Sequence, residues 1–192
     1  MTLNRRIFLL TAAALLARAG SASAQARGGA LKIGVIGSGR IGSALGEFWV
    51  RAGHEVMFSD LRIEDAKALL ARLDLGPRAL AGTSREAAAF GEVVLISVPY
   101  RALPQIGTDL AAELKGKVVL DTGNPYPGRD GEMAVAARAR GTGVASAEYL
   151  PGVRLVRAFN SVRDNHLRSE AHRKGARVAI PLAADDAAAM KV

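Results

Sequence analysis

The apolar run Ala30-Leu31-Lys32-Ile33-Gly34-Val35-Ile36 is followed at once by Gly37-Ser38-Gly39-Arg40-Ile41-Gly42. That is G-x-G-x-x-G, with a strand pattern before it and a helix pattern after it, and the context makes a short motif informative. Gly37 allows a tight turn off the strand. Gly39 lets backbone approach a pyrophosphate with no side chain between them, and Gly42 lets the helix pack closely on the strand. The N–H groups at the helix start, with the helix dipole, favour negative charge there. Ile41, Leu45, Phe48, Trp49 and Ala52 share one helical face, and Gly53 supplies a stop. The alternative is a glycine-rich turn that holds no ligand.

Residues 1–24 read differently. Asn4-Arg5-Arg6-Ile7-Phe8-Leu9-Leu10 is a twin-arginine pattern, followed by the apolar stretch from Leu9 to Ala17 and small residues ending Ala22-Ser23-Ala24. This is the order of a cleaved export signal, and Ala24-Gln25-Ala26 offers a second cleavage site. Arg18 interrupts the apolar run well short of the ~20 residues a spanning helix needs. A mis-assigned start or a short membrane-anchoring helix are the other readings. Twin-arginine signals resemble those of proteins exported already folded, so the twin-arginine translocase is an expected partner and the periplasm or exterior the expected location.

The remainder, residues 30–192, is expected to form one domain. In a chain with 49% hydrophobic residues overall, it can bury one good core. The chain has no cysteine, which excludes disulfides, thiol catalysis and thiolate metal sites. The net charge is +8, and three of the arginines lie in residues 1–24 beside no acid, leaving +5 for the rest. That charge is spread without a dense basic block, which argues against a nucleic-acid footprint. The three histidines have no metal-site spacing.

Strand and helix patterns alternate along this domain. Strands are predicted at His54–Ser59, Ala79–Ala81, Glu92–Val98, Lys117–Asp121, Arg154–Phe159 and Arg177–Leu182. Helices are predicted through Ala66–Leu73, after the capping box Thr83-x-x-Glu86, over Ala102–Leu114 and over Gly131–Arg140. The alternation predicts an α/β fold: a doubly wound, mainly parallel sheet with helices on both faces.

Ligands on such sheets lie past the carboxyl ends of the strands. Asp60 ends the second strand 18 residues after Gly42, where an acid accepts hydrogen bonds from ribose hydroxyls and favours NAD(H). Ser59 and Arg62 flank it and could serve a 2′-phosphate; alternatively Asp60 is a helix cap. Ser97-Val98-Pro99 would meet the nicotinamide end, or simply start a helix. Asn124 carries donor and acceptor suited to a carboxamide or ribose, or is an ordinary turn asparagine, and Asn160 shares the ambiguity. No residue is singled out as a catalytic acid or base.

Gly37–Gly42, Gly53-His54-Glu55-Val56, Ser97-Val98-Pro99, the Asp121–Pro125 loop and Val156-Arg157-Ala158-Phe159-Asn160 together resemble the NADP oxidoreductases dependent on coenzyme F420. The same Rossmann-type module is similar to the cytoplasmic domain of the six-transmembrane ferric reductases and the N-terminal domain of pyrroline-5-carboxylate reductase. The resemblance implies NADP(H) as cofactor and hydride exchange with F420 or a flavin, both rings positioned by the protein. Such transfer depends on proximity more than on an acid or base. Two features depart from the family. NADP-preferring members carry a Ser-Arg pair where this chain has Ser59-Asp60. The helix starting at Asp185-Asp186 stops after about two turns, so a C-terminal truncation is expected, with the acceptor side incomplete or completed in a homodimer. A non-catalytic dinucleotide-binding module or redox subunit is the alternative function.

Overall fold

The computed structural model describes residues 29–192; the twin-arginine segment lies outside the described residues. Seven strands form one sheet: β1 (Lys32–Ile36), β2 (Glu55–Ser59), β3 (Ala79–Ala81), β4 (Val93–Ile96), β5 (Val118–Asp121), β6 (Arg154–Ala158) and β7 (Leu182–Ala183). Their order is β3-β2-β1-β4-β5-β6-β7, and all neighbours pair in parallel except β6 with β7. The chain leaves β1 toward β2 on one side and reaches β4 on the other. The crevice between β1 and β4 is therefore the topological switch point where such folds bind ligands.

Both sheet faces are covered, which is why β1 and β4 read as continuous apolar runs. On one face, Ile33, Val35, Leu95, Val56 and Phe58 pack against α1 (Arg40–Arg51), α2 (Ile63–Leu73) and α9 (Asp164–Glu170). On the other, Ile36, Val94, Ile96 and Val119 meet Ala88 of α3 (Ser84–Phe90), Leu103 of α4 (Leu103–Asp109) and Leu114 of α5 (Ala111–Leu114). After α6 (Pro127–Asp130) come α7 (Glu132–Arg140) and α8 (Thr142–Tyr149), which add Ala137 and Ala145 to that layer. The side-chain alternation of a strand thus divides each apolar run between two cores. The predicted capping box is formed: the Thr83 hydroxyl accepts from the Glu86 amide, and the Glu86 carboxylate accepts from the Thr83 amide.

Four expectations are corrected. The single helix predicted over Ala102–Leu114 is a 3-10 turn (Tyr100–Ala102) followed by α4 and α5, because Leu110 leaves helical geometry (φ −115°, ψ 17°) and buries in the core. α8 and α9 were not predicted; α8 buries only the small residues Ala145 and Ser146, so it shows no apolar stripe in sequence. The last strand is not Arg177–Leu182 but Leu182–Ala183, two residues antiparallel to β6. Pro181 just before it has no N–H to donate, which stops the ladder there. The helix predicted from Asp185 is a 3-10 turn, Ala189–Lys191, and Asp186 accepts from the amides of Ala188 and Ala189 just ahead of it.

Candidate functional site

The glycine turn sits at the carboxyl end of β1 and opens α1. Gly37 has φ +90°, and a Cβ there would lie 2.4 Å from the Ser97 carbonyl oxygen. A Cβ on Gly42 would lie 2.1 Å from the Gly37 carbonyl oxygen. Both glycines are demanded by the fold itself. Gly39 is different: its φ is negative (φ −65°, ψ −155°), and a Cβ there would meet nothing within 4 Å beyond its chain neighbours. Internal packing does not require glycine at 39, whereas a ligand pressed against that backbone does.

The amides of the turn divide in the same way. Those of Gly37 and Ser38 donate to the Ser59 carbonyl, at 3.1 and 3.0 Å. They are thus committed to β2, and the N–H groups left for an anion are those of the first turn of α1. That turn has no capping side chain and no acidic residue, so its partial positive charge is uncompensated. Arg40 is exposed beside it, and Ile41 packs against the core.

Asp60 does not cap a helix, because α2 begins at Ile63 after Arg62. Its carboxylate accepts from the Ser38 hydroxyl at 2.8 Å and from the Leu61 amide at 2.9 Å. Ser38 therefore joins the glycine turn to the acid past β2 and fixes the carboxylate in place. The two residues expected to flank a 2′-phosphate are occupied elsewhere. Ser59 is fully buried and its hydroxyl donates to the Val35 carbonyl at 2.9 Å. Arg62 pairs with Asp65 at 2.7 Å. Burial withdraws Ser59 from any 2′-phosphate, a correction of the sequence expectation, whereas Arg62 is exposed and holds only a surface pair.

Gly37, Gly39, Asp60, Val98 and Pro99 line one cavity of about 490 Å³ over the switch point. Leu61, Ser84, Arg101 and Gln105 line it too, and sequence reasoning missed all four. Leu61 is fully exposed, immediately after the acid, and that adjacency was the available signal. Asn124 is not among the residues lining this cavity; it lies at the rim past β5. There its Nδ2 donates to the Asn160 carbonyl at 2.7 Å, so the two expected rim asparagines do meet.

Beneath that rim lies a buried polar group that the sequence did not reveal. Asp121 is fully buried; Arg157 and Ser146 donate to its Oδ2, and the Gly123 amide donates to its Oδ1 at 2.7 Å. Arg157 also donates to the Gly123 carbonyl at 2.8 Å, and the Tyr100 hydroxyl lies 3.1 Å from that of Ser146. Burial pushes the Asp121 carboxyl upward, and the Arg157 charge opposes that push. The network ties β5, β6, α8 and the 3-10 turn past β4 together under the rim. Phe159, directly past β6, has φ 61°, the left-handed region that non-glycine residues rarely adopt.

Residues 32–125 match the family described as NADP oxidoreductase, coenzyme F420-dependent, and carry its domain. The fold is also that of solved structures. A protein from Arthrobacter sp. FB24 described as an F420-dependent NADP-reductase aligns with TM-score 0.69 and 21% identity, over 84% of this chain and 76% of its own. A hypothetical protein from Sinorhizobium meliloti aligns with TM-score 0.71 and 22% identity, over 85% and 77%. The 3-hydroxyisobutyrate dehydrogenase of Mycobacterium tuberculosis aligns with TM-score 0.59 and 17% identity, over 85% of this chain and 49% of its own. A search of curated proteins finds no match.

Proposed function

We propose, from a domain of the F420-dependent NADP oxidoreductases at residues 32–125, that this protein is a nicotinamide-dependent oxidoreductase whose preferred dinucleotide is NAD(H). The observation that carries the reading is the Ser38–Asp60 hydrogen bond beside the open Cβ direction of Gly39. Together these support a cradle that takes a pyrophosphate at the α1 N-terminus and ribose hydroxyls at Asp60. A carboxylate fixed at that point repels a 2′-phosphate.

When bound, the reduced dinucleotide supplies a hydride from its nicotinamide ring to an acceptor, which we take to be a planar flavin-like ring. The protein's contribution is position. The first turn of α1 neutralises phosphate charge, Asp60 sets the register of the adenosine half, and Val98 and Pro99 shape the wall past β4. The Asn124–Asn160 contact braces the rim, with the Asp121–Arg157 pair beneath it. Holding two rings in contact geometry lowers the barrier without a proton-transfer residue. The twin-arginine pattern supports export after folding, with the dinucleotide loaded before translocation.

Titration with NADH and NADPH, followed by nucleotide fluorescence, tests the preference. NADH is expected to bind at least tenfold more tightly, and Asp60→Arg is expected to reverse the order. Equal or tighter binding of NADPH by the unmodified protein would overturn the assignment.

A further inference from the structure

On the α1 face of the sheet, β1 and β2 are covered by α1 and α2. Beside them α9 leans on α1, its Arg168 paired with Glu47 at 2.7 Å. The apolar cluster of Val93 in β4, Val118 in β5 and Val156 in β6 draws no residue from an α-helix among the described residues. Its buried cover is Ala189, from the short 3-10 turn Ala189–Lys191. Leu120, on β5 in the interior of the sheet, is left half-buried, whereas parallel strands normally have both faces covered. The result is a groove of about 450 Å³ at the amino ends of β1, β4 and β5, lined by Leu31, Trp49, Val118, Leu120 and Lys191. It lies at the opposite end of these strands from the switch-point cavity.

Gly29, where the described residues begin, lines the same groove, so the chain before it departs from the groove's wall. That chain carries Ile7-Phe8-Leu9-Leu10-Thr11-Ala12-Ala13-Ala14-Leu15-Leu16-Ala17, a stretch without a charge. As a helix it would be ~16 Å long and ~10 Å wide, enough to lie over two strands set ~4.8 Å apart. Phe8, Ala12, Leu15 and Leu16 would then share one side. Arg18 to Gly28 are mostly Ala, Gly and Ser and can span up to ~36 Å, so the stretch can turn back onto the groove. A tether of this length gives an effective concentration on the order of 1 mM, at which weak apolar contact is enough to hold it.

We propose that this groove docks the apolar stretch Ile7–Ala17 of the same chain while residues 1–28 remain attached. Docking completes the cover over β4 and β5, and it withdraws the apolar part of the expected export signal from other receptors until it is displaced. The assignment does not depend on the oxidoreductase reading above. The chain has no cysteine, so an introduced pair reports a single contact. In the full chain, Leu16→Cys is combined with Lys191→Cys at the groove, or with Val135→Cys, exposed on α7 over the other face of the sheet. With a short bismaleimide, the groove pair is expected to crosslink within one chain at least ~tenfold faster than the control pair. Equal rates overturn the proposal. Crosslinked dimers whose yield rises with protein concentration also overturn it, and assign the groove to a second copy. Trp49, the only tryptophan, lines the groove and gives an independent reading. Leu9→Asp combined with Leu16→Asp should increase acrylamide quenching of Trp49 in the full chain, and unchanged quenching overturns the docking.

Discussion

Three glycines of one motif do different work. Gly37 and Gly42 keep backbone apart from backbone, and a methyl at either would lie 2.4 Å or less from a carbonyl oxygen. Gly39 keeps only open space. Gly39→Ala is therefore expected to fold with stability within about 1 kcal/mol of the parent, since a Cβ there meets open space and φ is negative. Gly37→Ala should lose at least about 2 kcal/mol through left-handed strain and overlap with Ser97. Thermal denaturation with and without nucleotide separates the two effects. At a hundredfold excess over Kd, NADH should stabilise the parent by ~2.7 kcal/mol, a rise of roughly 5–10 °C for a domain this size. Gly39→Ala should show little of that rise. A full rise in Gly39→Ala would mean the ligand does not press on this backbone. Legibility in sequence also varied residue by residue. Asp60 was legible as a rim acid from its spacing to Gly42, whereas its Ser38 partner was not. A hydroxyl 22 positions away meets it only because the turn folds over the end of β2.

At the scale of the element, short α6 shows how one buried acid shapes a loop. Asp130 has a fully buried side chain; it accepts from Arg129 at 2.7 Å and from the Tyr126 amide at 2.9 Å. The Arg129 hydrogen bond holds its carboxyl below the ordinary carboxylate range, despite the opposing effect of burial. A lowered folded value means the stabilisation is complete above the unfolded value, near ~3.9, and is lost as pH falls through the folded one. Amide exchange in residues 126–131 is expected to accelerate below about pH 4, ahead of the sheet, and Asp130→Asn should abolish that acid step. An unchanged acid step in Asp130→Asn would place its origin elsewhere. The turn here was readable from Asn124-Pro125-Tyr126-Pro127-Gly128, but the helix was not. Four residues carry no periodicity, and the carboxylate that anchors them comes from their own last position.

At the scale of the whole molecule, the sheet order puts the cradle at the carboxyl ends of β1 and β4, where the chain reverses its direction of strand addition. Export in the folded state would suit a protein that must carry a dinucleotide with it. Fractionation of cells expressing the full chain should find it outside the inner membrane, and replacing Arg5 and Arg6 by lysine should retain it inside. Release that is unaffected by both changes would remove the twin-arginine route. No helix among the described residues is long and apolar enough to cross a membrane.

The sequence by itself determined the parallel sheet, the covered faces and the glycine turn between β1 and α1. Each is encoded locally, in apolar runs of strand length, in helical spacing and in glycines set at fixed offsets along adjacent residues. Tertiary structure alone decided which of those residues line the cavity over the switch point. It buried Ser59, locked Asp60 to Ser38, and brought Asp121, Ser146 and Arg157 together from three elements. It also split one predicted helix at Leu110 and cut the last strand to two residues at Pro181. Contacts between positions 20 to 40 residues apart depend on how strands are ordered and how loops cross their ends, and no local pattern records that.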